Sequence, residues 1–129
     1  MTADNSITIT RRFDDSGEGA ALVRVPRLIV AFECRRPLCP GLRLSLADVD
    51  EVRVGRGTAR QWSRVGRQIA IAIPDVEMSR LHIRLERTGE GWTLHDLGSK
   101  NGTLVGGVRA TRRALADRDL IEIGGSLLV

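Results

Sequence analysis

The 129-residue sequence predicts an all-β fold, an antiparallel sandwich or barrel. Three observations carry that expectation. Apolar residues recur with a period of two in short runs, Gly-containing turns separate most of those runs, and no segment sustains a helical period long enough to compete. Hydrophobic residues make up 42% of the chain but aromatic ones only 3%, with no Tyr, so a core has to be built from Val, Ile, Leu and Ala. The length suits one domain rather than two.

Residues 1–22 are polar, rich in Thr, Ser, Asp and Gly, and read as a flexible arm ahead of a folded domain at 23–129. The first apolar run is RLIVAFE (27–33), behind Pro26. In LRLSL (42–46), Leu42, Leu44 and Leu46 share one face and Arg43 and Ser45 the other. EVRV (51–54), QIAIAI (68–73), LHIRLER (81–87), WTLHDL (92–97), TLV (103–105), LIEI (120–123) and SLLV (126–129) follow, so nine or more short strands are expected. Turns are read at TGEG (88–91), GSKNG (98–102), VGG (105–107) and IGG (123–125). LADVDE (46–51) and RALADRD (113–119) have a helical flavour but are short. The apolar run at the last residues, with no polar tail, reads as the edge of a domain cut from a longer protein.

The formal net charge is +4, which favours anionic partners. Nineteen of the twenty basic residues are Arg; Lys100 is the exception. Cys34 and Cys39 stand as C-x4-C without a second pair, short of a structural zinc set, and read as two free thiols. No stretch has the length of a membrane-spanning helix, and the N-terminus lacks the order of a signal peptide. A cytoplasmic protein with no metal site and no cofactor is expected.

Three motifs stand in order: VGRG with Gly55 and Arg56, MSRLH with Ser79, Arg80 and His82, and DLGSKNGTLVGG from Asp96 to Gly107. Each joins a strand to a loop, and loops at one rim of a sandwich can converge. Together they offer a guanidinium, a hydroxyl, an ammonium and a carboxamide, a set suited to an anion with several acceptor oxygens. Arg56 can bind two phosphate oxygens, Ser79 can donate to a third, Lys100 adds charge, and Asn101 can hold an extended peptide backbone. Charge-assisted bonds of this kind are worth roughly 1.5–3 kcal/mol each, against about 1 for neutral ones. Taken singly, the motifs have plainer readings. Gly-Arg after a strand is a turn, Asn101-Gly102 is a hairpin signal, Ser79 can cap a turn, and His82 reads as a structural histidine that ties loops together. His95 has no assigned role.

As an ordered set, GR, SRxH, D-x-G-S-x-N-G-T and L-x-D-x-D-x-I-x-I-G resemble the forkhead-associated (FHA) family over about residues 28–129. The resemblance implies an eleven-stranded β-sandwich that binds phosphothreonine peptides through loops at one end. It implies that Arg56 and Ser79 hold the phosphate, Arg80 and Lys100 flank it, and Asn101 bonds the peptide main chain. Gly55, His82 and Gly102 would support loop geometry. The expected partner is a threonine-phosphorylated protein, with a Ser/Thr kinase upstream.

The chain departs from the family pattern at two places. Ser79 follows Arg56 by 23 residues, a longer gap than the family ordinarily shows, because of an insertion at about 57–68. That insertion holds a second Gly-Arg pair, Gly66-Arg67, so Arg67 is a reserve candidate for the phosphate arginine. Trp62, among Arg60 and Arg64, can stack on a ligand or pack beneath the loop. The second departure is Lys100, where some relatives carry a small hydroxyl residue. A narrower resemblance joins the long GRG loop and MSxxH to the N-terminal FHA domains of bacterial transcription activators that work with sigma-54 polymerase.

An enzyme is disfavoured because no nucleophile–base pair or metal set stands at useful spacing. Direct nucleic-acid binding is disfavoured because aromatic stacking platforms are nearly absent. The remaining alternative is a domain of the same fold that binds or oligomerises without phosphate, its site covered by the 57–68 insertion.

Overall fold

A computed structural model describes residues 7–13, 20–33, 41–89 and 91–129. Cys34, Cys39 and residues 1–6 and 14–19 of the expected arm lie outside the described residues. The described residues form thirteen strands and no helix. In chain order these are β1 (Ile7–Phe13), β2 (Ala20–Glu33), β3 (Leu42–Ser45), β4 (Glu51–Arg56), β5 (Gln61–Val65), β6 (Gln68–Ile73) and β7 (Ile83–Thr88), then β8 (Gly91–Asp96), β9 (Thr103–Val105), β10 (Val108–Arg109), β11 (Arg112–Leu115), β12 (Ile121–Ile123) and β13 (Ser126–Leu128).

They make two sheets. One runs β1-β2-β13-β12-β9-β10, with β3 also paired to β2, and the other runs β11-β8-β7-β4-β6-β5. Cross-strand partners share a face of the sheet. In the second sheet Ile83, Val54 and Ile71 form one such row, and Glu51, Val52 and their successors alternate about it. The inward row is buried, together with Val52, Ile69, Ile73, Leu85 and Leu94. These side chains meet Leu28, Val30, Leu44, Leu46, Val105, Ile121, Ile123 and Leu128 of the first sheet in one core. The core is aliphatic, as the composition requires, and each such side chain contributes about 1.5–3 kcal/mol over its exposed state.

Three differences from the sequence reading have local causes. First, the stretch read as an arm contains β1, which pairs with the start of β2 from Ile7↔Pro26 to Phe13↔Ala20. ITIT (7–10) is a run of β-branched residues, which favour extended backbone. Second, the 57–68 insertion supplies β5, and RALADRD, too short for a helix, begins as β11. With β1 and β5 included, the described residues form thirteen strands, close to the eleven expected. Third, the sandwich is not wholly antiparallel. β5 turns back through Gly66, at φ +60°, and pairs antiparallel with β6. That reversal lays β6 parallel to β4 over six residues, from Glu51↔Gln68 to Arg56↔Ile73.

Candidate functional site

The site is assembled where β4 ends. Its last residue, Arg56, donates its backbone N–H to the Ser79 carbonyl at 2.9 Å, and His82 N donates to the Val54 carbonyl at 3.1 Å. The 79–82 segment therefore lies directly across the end of β4. Only glycine fits beneath it: a Cβ at Gly55 would stand 1.8 Å from the Arg80 carbonyl oxygen.

His82 fastens the next loop. Its ring is fully buried. Nδ1 accepts the Ser79 backbone N–H at 3.0 Å, and Nε2 lies 2.8 Å from the Gly102 carbonyl oxygen. A carbonyl only accepts, so Nε2 carries the proton and the imidazole is the neutral tautomer. Two more bonds join the same loops. Lys100 N donates to Ser79 Oγ at 3.0 Å, and Asn101 Nδ2 donates to the Glu77 carbonyl at 2.7 Å. Ser79 Oγ uses a lone pair in this contact, and its hydroxyl proton is left to donate elsewhere.

The 96–103 loop is shaped by Asp96. Its carboxylate accepts from Ser99 N at 2.8 Å, Ser99 Oγ at 2.6 Å and Thr103 Oγ1 at 2.6 Å. Burial acts to raise its pKa, but the hydrogen bonds from Ser99 and Thr103 outweigh it and hold the carboxyl below its ordinary value. Gly102 takes φ +82°, with the Arg109 guanidinium 3.1 Å from where a Cβ would lie. On the other side of Ser79, the 74–78 segment is held by buried Asp75. That carboxylate accepts from Glu77 N at 2.9 Å, Gly125 N at 2.7 Å and Ser126 Oγ at 2.9 Å.

Arg56, Ser79, Lys100 and Asn101 are thus drawn to one end of the sandwich by direct contacts between their loops, and Arg80 follows Ser79 with its carbonyl over Gly55. Arg56, Arg80, Lys100 and Asn101 are exposed. Among the described residues, Arg56, Arg80 and Lys100 meet no carboxylate, whereas Arg53, Arg60, Arg67, Arg84 and Arg87 are each paired with one. The reserve candidate Arg67 is not brought to this end. It sits in the β5–β6 turn, forks onto Asp50 at 2.7 and 3.1 Å, and its hydrogen bond holds the Asp50 carboxyl below the usual range. Asp50 precedes β4, so Arg67 lies at the far end of that strand, about 17 Å from Arg56 at the ordinary rise per residue. β6 separates the inserted β5 from β4, and Arg56 stays exposed beside it.

Sequence reasoning assigned no role to Asp75, Asp96, Ser99 or Arg109. For the first two a signal existed: Pro74-Asp75 and D-x-G-S at 96–99 are both turns in which a carboxylate caps backbone N–H groups. Among the described residues no three His, Cys, Asp or Glu side chains gather as a metal set, and no helix is long and apolar enough to cross a membrane.

A sandwich whose rim loops carry GR, SRxH and SxNG is the architecture of an interaction module, and comparison with known proteins agrees. A model of the FHA domain matches residues 52–124, more than half the chain, and the chain belongs to the FHA domain family. An FHA domain-containing protein of Arabidopsis thaliana is 34% identical over 92 residues, covering 66% of this chain and 24% of its own length. The FHA domain-containing protein FhaA of Mycobacterium tuberculosis is 34% identical over 64 residues, 50% of this chain and 12% of that protein. The chain therefore spans about a quarter or less of these curated relatives. The solution structure of an Arabidopsis thaliana FHA domain superposes with a TM-score of 0.58 at 30% identity, covering 79% of this chain and 80% of that one. An FHA domain studied for phosphothreonine-dependent interactions has the same fold, with a TM-score of 0.55 at 24% identity over 80% of this chain and 93% of its own.

Proposed function

We propose that the domain binds threonine-phosphorylated peptides at the Arg56–Ser79–Asn101 rim and performs no catalysis. The observation that carries this reading is the set of three exposed cations without a carboxylate partner among the described residues, gathered around a hydroxyl whose proton is free. A phosphoryl group brings about −1.5 to −2 charge and three acceptor oxygens, which these groups can meet. In this reading Arg56 and Ser79 hold the phosphate, Arg80 and Lys100 flank it, and the Asn101 carboxamide, already braced on Glu77, reaches the peptide backbone. Gly55, His82 and Gly102 keep the loops in place. Phosphothreonine-dependent binding by an FHA relative supports the assignment by analogy. The resemblance to sigma-54 activators extends it: the domain serves as a cytoplasmic sensor in a bacterial transcription regulator, reading a Ser/Thr kinase signal and passing it to an ATPase domain.

The test is capture of a phosphothreonine peptide library against its unphosphorylated twin at moderate salt, by wild type, Arg56→Ala and Arg67→Ala. Loss of two charge-assisted bonds in Arg56→Ala lowers affinity by about 100-fold, whereas Arg67→Ala changes it less than about threefold. The reverse pattern would reassign the phosphate arginine. Equal capture of both twins would favour the phosphate-independent reading, for which the wholly exposed edge strand β5 is the natural seat.

A further inference from the structure

The inserted segment turns away from the rim almost as soon as it begins, and two anchors make it do so. Arg56 is the last residue of β4, and the next residue, Gly57, donates its N–H to the Ile73 carbonyl at 3.0 Å. A glycine is needed for that approach to β6, since a Cβ at position 57 would stand 2.6 Å from the Ala72 Cβ. The second anchor is Arg60, which precedes β5 by one position. The register Gln61↔Ala72 and Trp62↔Ile71 sets the even-numbered residues of this strand on the side of buried Ile71 and Ile73. Arg60 continues that alternation and turns inward, into the gap between the two sheets.

Across the gap stands Glu33, the last residue of β2. It is paired with buried Ser126, and cross-strand partners share a face. Arg60 Nε lies 3.5 Å from Glu33 Oε2, with the two side chains only 14% and 5% exposed. A pair so hidden is little screened by salt, and its partners hold each other in place because neither charge is tolerated there alone. Between the two anchors, Thr58 and Ala59 are exposed. Arg64, further along the same strand, bonds instead to the Gly66 carbonyl at 2.9 Å and the Asp48 carbonyl at 3.1 Å.

We propose that Arg60 is a positioning residue for the phosphothreonine site: paired with Glu33, it draws the 57–60 segment toward the first sheet and keeps Arg56 open to a peptide. Without the pair, residues 58–60 are tied only at Gly57 and at the start of β5, and they fold back over Arg56 for part of the time. The apparent affinity then falls by the fraction of molecules in which Arg56 is open. Arg60 itself does not touch the phosphate. This inference rests on the phosphothreonine reading of the rim and gives the insertion a part in keeping that rim accessible.

The experiment compares wild type, Glu33→Gln, Arg60→Lys and Arg64→Ala. Each is measured for association and dissociation rates with one phosphothreonine peptide and its unphosphorylated twin, and for exchange of the Gly57 amide by NMR. Glu33→Gln removes the pair yet keeps the Arg60 charge. Melting temperatures fix a working temperature at which every variant is folded. If Glu33→Gln does not fold, the double variant Glu33→Gln with Arg60→Gln, which removes both charges of the pair, is read in the same way. Glu33→Gln weakens the phosphopeptide about tenfold, mainly through slower association, and the Gly57 amide exchanges about tenfold faster. Arg60→Lys keeps a cation in the gap and stays within about threefold of wild type, as does Arg64→Ala. Unchanged affinity in Glu33→Gln overturns the positioning role. Tighter binding overturns it as well, because a released Arg60 would then be reaching the phosphate. A tenfold loss in Arg64→Ala also overturns it, because any loosening of the hairpin would suffice. All three results leave the rim assignment standing. Absence of any preference for the phosphorylated twin in wild type overturns both.

Discussion

Replacing Gly55 by Ala tests whether the close crossing at the end of β4 is what positions Ser79. The added methyl would stand 1.8 Å from the Arg80 carbonyl oxygen, 2.6 Å from its carbon and 3.3 Å from Leu81 N. All three are backbone atoms, so no side chain can swing aside. The 79–82 segment has to retreat by roughly 1 Å, since packed interiors hold no slack to absorb it. That shift stretches the bonds from Arg56 N to Ser79 O and from His82 N to Val54 O, which now measure 2.9 and 3.1 Å. Two weakened backbone bonds, at about 1 kcal/mol each, plus residual strain give a loss of about 2–4 kcal/mol. Urea unfolding followed by fluorescence or circular dichroism reads this as a midpoint lower by about 1–2 M. Affinity for a phosphothreonine peptide falls with it, because Ser79 moves away from Arg56. Gly91→Ala is the control: its Cβ would meet nothing nearer than the Thr88 oxygen at 4.0 Å, and it changes stability by less than about 0.5 kcal/mol. If Gly55→Ala were as mild as Gly91→Ala, the crossing would not be tight and the account of Ser79 placement would be wrong.

Two further perturbations separate structural carboxylates from binding groups. Asp75→Ala strands Glu77 N, Gly125 N and Ser126 Oγ and costs about 2–4 kcal/mol, measured as a fall in melting temperature of about 10 °C or more; a fall under about 3 °C would show that solvent replaces the carboxylate. The Asp96 carboxyl is depressed in the folded state, so its stabilisation is complete above the unfolded value near pH ~4 and is lost as pH falls through the folded pKa. Asp96→Asn is therefore less stable than wild type at pH 7, by about 1–2 kcal/mol for the hydrogen bonds weakened, and the gap narrows as pH falls through the folded pKa; a gap of constant size in urea titrations carried from neutral into strongly acidic pH would contradict the assignment.

The strands that bury one face were readable because burial imposes alternation. QIAIAI (68–73) became β6 with Ile69, Ile71 and Ile73 inward, and LRLSL became β3 with Leu44 inward and Leu46 just past its end. β5 and β11 were not readable as strands. All five residues of β5 are exposed, and three of the four in β11, so these strands are held by backbone pairing to a neighbour and leave no apolar period in the sequence. The parallel β4/β6 pair was hidden for a related reason: direction depends on where β5 reverses, and an edge hairpin of polar residues does not announce itself. The candidate rim was legible because its glycines and polar residues recur in a known order. Arg56 and Arg67 were separable only by position. Both follow Gly, but one terminates a buried strand at the rim while the other turns at the opposite end and spends its charge on Asp50.

His82 bridging Ser79 and Gly102 has a kinetic consequence. A neutral ring sealed between two loops, each also fastened to its neighbours, leaves little for an arriving peptide to rearrange. If the rim binds phosphothreonine peptides as proposed, encounter proceeds at the speed of docking onto a ready surface, and sequences that fit well or badly differ mainly in how long they stay. A kinase signal read by such a surface would switch off as fast as the modified residue lets go, without waiting for the receptor to relax.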